Sequence, residues 1–307
     1  MTSLNGILPV WKPEGWTSHD VVAKVRGIVR EKRIGHTGTL DPQVTGVLPL
    51  CVGKATRVVE YLQELPKQYE AVLRFGIATD TEDSSGNVTD RMDAAHLTEE
   101  RIREVMASFS GQIDQVPPMY SAVKVNGQRL YELAREGKTV ERKSRTVTIH
   151  DIEVLDMNLG VSEPTVRFRV TCSKGTYIRT LCVDIGRALE VPSTMESLIR
   201  TMSAQYNAEQ CYTIEQIQQA ANEGTVEALL QPVDKAMSYV PAIHMLDAFA
   251  HYAVQGRGIP FRACSFQPLT NQLYRLYDEQ EAFYGLFHVP EEDTCLRPVK
   301  VFLPSTT

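Results

Sequence analysis

Apolar residues recur at helical spacing at Val21, Val22, Val25, Ile28 and Val29, directly behind a Thr17-Ser18 pair. This predicts a helix with Ser18 as its N-cap and Asp20 in the favourable first turn. The alternation in KQYEAVLRFG (67–76) predicts a strand, and TDTEDSSGN (79–87) a polar loop. Thr98 caps a predicted helix carrying Ile102, Val105, Met106 and Phe109. SAVKVNGQRLYELAREG (121–137) reads as a strand, an Asn126-Gly127 turn and a short helix stopped by Gly137. VTIHDIEVLDM (147–157) and TVRFRVTCS (165–173) are strand-like. In GTYIRTLCVDIGRALE (175–190), Ile178, Leu181, Cys182, Ile185 and Leu189 share one helical face. Thr213 and Gln216 form a capping box at the start of another helix.

The texture changes after Val240. Short apolar runs (FRACSFQ, LYRLYD, AFYGLFHV, VKVFLP) separated by turn residues predict a small β unit. The expected fold class is α+β, with a large domain over 1–240 and a small β domain over 241–307. The charged hairpin at about 124–145 is expected to project as an arm.

At 307 residues, 43% of them hydrophobic and 23% charged, the chain can bury a sizeable core. It has no apolar run near the ~18 residues of a membrane span and no visible secretory signal, so no membrane association is expected. The six cysteines are scattered without a C-x-x-C pair, which points to reduced thiols in the cytoplasm. A net charge of −6 argues against a generic nucleic-acid binder. Its distribution changes that picture: basic residues outnumber acidic ones in 1–57 and in 124–145, and the acid lies mainly in 58–123 and 146–240. These stretches are either two halves of an anion-binding face or solvated surfaces that never meet.

The most unusual stretch is GHTGTLDPQVTGVLPLCVGKAT (35–56). It is not a phosphate loop, because six residues rather than four separate Gly46 from Gly53, and Ala55 follows Lys54. No G-x-G-x-x-G, H-E-x-x-H, Cys/His quartet or G-x-S-x-G is present, which leaves carboxylate chemistry centred on Asp41. Pro42 biases Asp41 to extended geometry, and the glycines allow close approach. Asp41 is then either a site residue or the cap of the next turn.

This stretch resembles the signature of the TruB family of tRNA pseudouridine synthases. KPEGWTSHD (12–20), KQYEA (67–71), PPMYSAVKVNGQRLYELAREG (117–137) and SKGTYIRTL (173–181) follow in the family's order, spanning most of residues 8–206. SLIRTMSAQY (197–206) departs from the family's paired arginine, with Ile199 before Arg200. The resemblance implies a pseudouridine synthase fold: a central mixed, largely antiparallel sheet flanked by helices, plus a C-terminal PUA-like β domain. It implies isomerisation of the uridine at position 55 in the T-arm of tRNA, without cofactor or metal, by a monomer needing no protein partner.

Carried over by position, Asp41 is the catalytic carboxylate, attacking C1′ or C6 or removing the 2′ proton. Arg179 pairs with it as a buried carboxylate requires. Tyr69 lies against the uracil, Tyr177 supports the charge pair, and Leu198 forms an apolar wall. His36 fills the space of the flipped base, and Lys12 and Pro13 help build the pocket or its rim. Lys124, Arg129, Lys138, Arg142 and Lys143 meet phosphates. The alternative is a non-catalytic tRNA-binding protein or tRNA-folding chaperone on the same fold; a nucleoside hydrolase is a further rival.

Overall fold

A computed structural model describes residues 4–303 apart from Asn126. Strand β1 (Gly6–Lys12) leads into helix α1 (Ser18–Val29). Thr17, not Ser18, is the N-cap: its hydroxyl accepts from the Asp20 N–H while the Asp20 carboxylate accepts from the Thr17 N–H. Ser18 is drawn elsewhere. Its buried hydroxyl accepts from the Leu40 N–H at 2.9 Å, a partner 22 residues away that local pattern does not reveal.

The chain continues through β2 (Ile34–His36), β3 (Thr45–Val52), α2 (Val59–Glu64), β4 (Lys67–Phe75), β5 (Ile77–Thr79), β6 (Val88–Arg91), α3 (Glu99–Ser108) and β7 (Gly111–Gln115). An excursion follows, containing β8 (Lys124–Val125), β9 (Gln128–Arg129) and α4 (Leu130–Arg135). The chain then forms β10 (Arg145–Asn158), β11 (Thr165–Cys172), α5 (Ile178–Ala188), β12 (Ser193–Ser203), β13 (Tyr206–Asn207), α6 (Ile214–Glu223) and α7 (Val233–Ala236). Thr213 and Gln216 do form the reciprocal cap of α6.

The central nine-stranded sheet runs β1-β3-β12-β4-β11-β10-β7, with β2 on β3 and β13 on β12. Only the β3–β12 pairing is parallel, so the sheet is mixed and largely antiparallel as expected. Along β4, Lys67, Tyr69, Ala71, Leu73 and Phe75 alternate inward. That face packs with Ile102, Val105 and Met106 of α3 and with Ile178, Leu181, Cys182 and Ile185 of α5. Each large apolar side chain so buried contributes about 1.5–3 kcal/mol before entropy.

The excursion is less free than its charge implies. Leu130 and Leu133 of α4 are buried, and the Tyr131 N–H bonds the Ser121 carbonyl. Its strands pair Lys124 with Arg129 and Val125 with Gln128. Asn126 of the expected turn lies outside the described residues.

The C-terminal unit contains β14 (Ala242–His244), α8 (Ala250–Val254), β15 (Ile259–Pro260), β16 (Leu273–Tyr277), β17 (Phe283–His288) and β18 (Cys295–Val301). Its sheet order is β14-β16-β17-β18-β15, around Ile243, Leu276, Phe287 and Leu296. Leu286 and Phe302 join a shared cluster with Ile7, Val47, Leu62 and Met237, and Lys300 pairs with Glu60 at 2.8 Å. The unit is docked on the larger one through apolar contact.

Candidate active site

Asp41 sits in the loop between β2 and β3, where main-chain bonds hold the residues around it. Ser18 holds the Leu40 N–H, and the Asp41 carbonyl accepts from Val44 N–H at 3.0 Å. The Pro42 carbonyl accepts from both Gly15 N–H (2.9 Å) and Lys12 Nζ (3.0 Å). On the far side, Arg200 donates to the Gly38 carbonyl at 3.1 Å. A turn tied at Gly38, Leu40 and Pro42 leaves the intervening side chain few orientations, which lowers the entropy of presenting it.

The carboxylate meets Arg179 Nη2 at 3.0 Å, and here burial is divided unequally: the Arg179 side chain is 5% exposed and that of Asp41 44%. The expected buried carboxylate is therefore a half-open one backed by a buried cation. It is the guanidinium that carries most of the desolvation. Arg179, second residue of α5, also donates to the carbonyls of Thr81 (3.0 Å) and Tyr120 (2.8 Å), and Asp83 lies 3.8 Å from its Nε. Three chain segments thus fix its planar fork. Next to it, burial pushes the Glu82 carboxyl up, opposed by the Thr180 hydroxyl, which donates at 2.7 Å.

Tyr69 is on β4 facing the same region, and burial raises its phenol above the ordinary value, opposed by the Arg200 charge. Leu198 of β12, opposite Ala71, is partly buried against the cluster that contains Leu40, Val44 and Tyr69. Lys12 is fully buried, with Nζ bonded to the Pro13, Trp16 and Pro42 carbonyls at 2.8, 2.6 and 3.0 Å. It braces the loop from beneath rather than lining an open rim. Burial lowers its pKa to about 8, with Asp41 opposing that shift. Pro13 supplies one of those carbonyls.

His36 ends β2 at the head of the loop, its Nδ1 accepting from Gly38 N–H at 3.2 Å, and burial lowers its pKa. Tyr177 caps the start of α5 but does not reach Asp41 by any described bond. Its ring lies under the Arg145 guanidinium (4.7 Å), and its backbone is held at both ends by Gln115. In the excursion, Lys124 and Lys143 are exposed. Arg129 donates to the Tyr131 hydroxyl, Lys138 pairs with Glu136 at 2.7 Å, and Arg142 donates to the Pro117 carbonyl at 2.9 Å.

Four neighbours of the site escaped the sequence reading: Ser18 as a tether, Asp83, Lys67 and Arg200. Lys67 is buried, bonded to the Gln63 and Leu65 carbonyls, and lowered to about 8 by burial and the Arg200 charge. Strand alternation carried a signal for two of them: Lys67 shares its face with Tyr69, and Arg200 with Leu198.

One carboxylate on a tied turn thus meets a buried guanidinium, close to a strand tyrosine on a mixed sheet. Among solved structures, the chain is similar to a chain of a Cbf5-Nop10-Gar1 complex (TM-score 0.74, 29% identity, covering 98% of this chain and 86% of that one). It is also similar to one in an H/ACA RNP bound to a substrate RNA containing 2'-deoxyuridine (TM-score 0.73, 26% identity, 97% and 85%). Residues 26–178 match the N-terminal domain of the TruB family pseudouridylate synthases, and residues 179–238 match the tRNA pseudouridylate synthase B C-terminal domain. Similar curated relatives are tRNA pseudouridine synthase B of Bacillus cereus (strain ATCC 10987 / NRS 248), 43% identical over 98% of each chain, and that of Geobacillus thermodenitrificans (strain NG80-2), 44% identical over 97% of this chain and 100% of the relative. The chain belongs to the TruB family of pseudouridylate synthases.

Proposed function

We propose that this chain isomerises the T-loop uridine at position 55 of tRNA to pseudouridine, with Asp41 as the catalytic carboxylate and no cofactor. The observation that carries the reading is the 3.0 Å Asp41–Arg179 pair on a tied loop, in a chain whose relatives share the name tRNA pseudouridine synthase B over nearly their full length. The C1′–N1 bond breaks, the uracil turns, C1′–C5 forms, and the C5 proton is lost as N1 gains one, so mass is unchanged. Glycosidases use two carboxylates, one to protonate a leaving oxygen and one to attack or activate water. Uracil leaves as a stabilised anion and must be recaptured, so one carboxylate suffices and water delivery is harmful. Arg179 holds Asp41 aimed, whether Asp41 attacks C1′ or C6 or takes the 2′ proton.

The target uridine reaches Asp41 only if extruded from the T-loop stack. In this reading Tyr69 lies against the extruded ring and Leu198 walls it, while His36 takes the vacated space and Tyr177 orders the start of α5 behind Arg179. Lys12 and Pro13 hold the loop. The catalytic domain is 1–240, the PUA-like domain 241–307, and the enzyme works as a cytoplasmic monomer. A pure tRNA binder or chaperone on this fold has no use for a half-exposed carboxylate on an RNA-facing surface, where it repels phosphate. Incubation with unmodified tRNA in the presence of a chelator, followed by nucleotide-resolution mapping, is expected to give pseudouridine at position 55 alone. Free uracil would instead mark a hydrolase, and unaltered tRNA a binder.

The excursion is the proposed RNA clamp, with Lys124, Arg129, Lys138, Arg142 and Lys143 as phosphate ligands. Reversing Lys124 and Arg129 to Glu is expected to weaken tRNA affinity and reduce the slope of log K against log salt by about 1 per lost phosphate contact. An unchanged slope in filter binding across a salt series assigns these residues to ordinary surface.

A further inference from the structure

Arg200 has no part in the chemistry assigned above, yet among the described residues it is the largest fully buried side chain, 1% exposed. Among the described residues it forms no ion pair with a carboxylate. A buried cation without a counter-charge is strongly destabilising unless its hydrogen bonds are excellent. Those of Arg200 go to two main-chain carbonyls at opposite ends of the Asp41 loop. Nε donates to Val47 at 2.7 Å, within β3, and Nη2 donates to Gly38 at 3.1 Å, before the loop. The fit is close on both sides. A Cβ at Gly38 would stand 3.5 Å from Arg200 Nη1, and one at Gly46 would meet the Arg200 carbonyl at 2.2 Å, at a backbone φ of +122°.

Arg200 also faces Tyr69 directly across the β12–β4 ladder, and its charge opposes the effect of burial on the Tyr69 phenol. One planar group thus ties both ends of the loop that presents Asp41 and lies beside Tyr69.

We propose that Arg200 is a positioning residue of the isomerase site: its guanidinium braces the Gly38 and Val47 carbonyls and holds the Asp41 loop in register with Tyr69 across the ladder, so that Asp41 and Tyr69 engage the same nucleotide. This rests on the pseudouridine synthase reading. The buried charge opposes the effect of burial on the Tyr69 phenol, so its loss should leave that phenol harder to ionise. Lysine cannot reproduce the span, since an ammonium is a point donor rather than a fork.

The test compares Arg200→Lys, Arg200→Gln and Tyr69→Phe, alone and combined, by single-turnover kinetics on unmodified tRNA, tRNA binding, thermal denaturation and a pH–rate profile. Arg200→Gln is expected to lower the single-turnover rate about 100-fold, the scale of a small misplacement of catalytic groups, with tRNA affinity within threefold. Its alkaline limb should move to higher pH, because Tyr69 loses the opposing cation. Arg200→Lys, which keeps the charge, should fold, restore the limb and leave a loss of about tenfold. Adding Tyr69→Phe should cost less in the Arg200→Gln background than in the native one. Additive effects with an unmoved limb, or a folded Arg200→Lys with native rate and a native Arg200→Gln profile, overturn the proposal. Inactivity of the unsubstituted chain on tRNA would instead remove the function reading itself.

Discussion

Asp41→Asn is expected to bind tRNA within about tenfold of the unsubstituted chain and to form no pseudouridine. The amide is isosteric, so the tied loop keeps its shape, and the 44% exposed side chain adds little to the core. What is lost is the negative charge, and with it the proposed nucleophile or base. Removing such a group costs on the order of 10⁴-fold or more in rate, because no second carboxylate lies in the loop to replace it. Asp83 is 3.8 Å from Arg179 Nε, on the side of the guanidinium already committed to the Thr81 segment, and cannot present itself in place of Asp41. Filter binding and product mapping on the same preparation check both halves. Full turnover by this variant removes Asp41 from the chemistry, and loss of binding with loss of rate makes it a structural residue.

Arg179→Met is expected to lower the rate at least about 100-fold and to lower stability measurably. Methionine fills part of the volume but abandons the Thr81 and Tyr120 carbonyls and leaves Asp41 and Asp83 without their cation. An unsatisfied buried acceptor costs about 1–3 kcal/mol, and the freed carboxylate no longer has a direction. Arg179→Lys should be intermediate in stability yet remain slow, since one ammonium cannot serve two carbonyls and a carboxylate in a plane. Calorimetry and single-turnover kinetics separate the two losses. A stable Arg179→Met variant working at native rate would show that the ion pair is ornamental.

Much of this site was legible before any coordinates. Asp41 and Arg179 stand 138 positions apart in the chain, and the resemblance to the family brought them together before the fold did. Alternation in β4 placed Tyr69 inward, and helical spacing defined α5 with Arg179 in its first turn. One miss has a local cause: Ser18 was read as a cap because a local pattern weighs hydroxyls only against the next turn, whereas its partner is Leu40. What a local pattern leaves out is what each side chain meets: three carbonyls receive Lys12 in the interior, where a lysine is rarely found, and the Tyr177 ring lies under Arg145.

By itself the sequence determined the elements, the α+β class, the carboxylate loop and its family, since periodicity, capping and turn chemistry are local and survive without a partner. Only the tertiary structure decided which cations are buried and what they hold. Burial and long-range bonding are properties of surfaces meeting across the fold: β12 brings Arg200 under a loop some 160 residues earlier, and nothing near either segment announces the other.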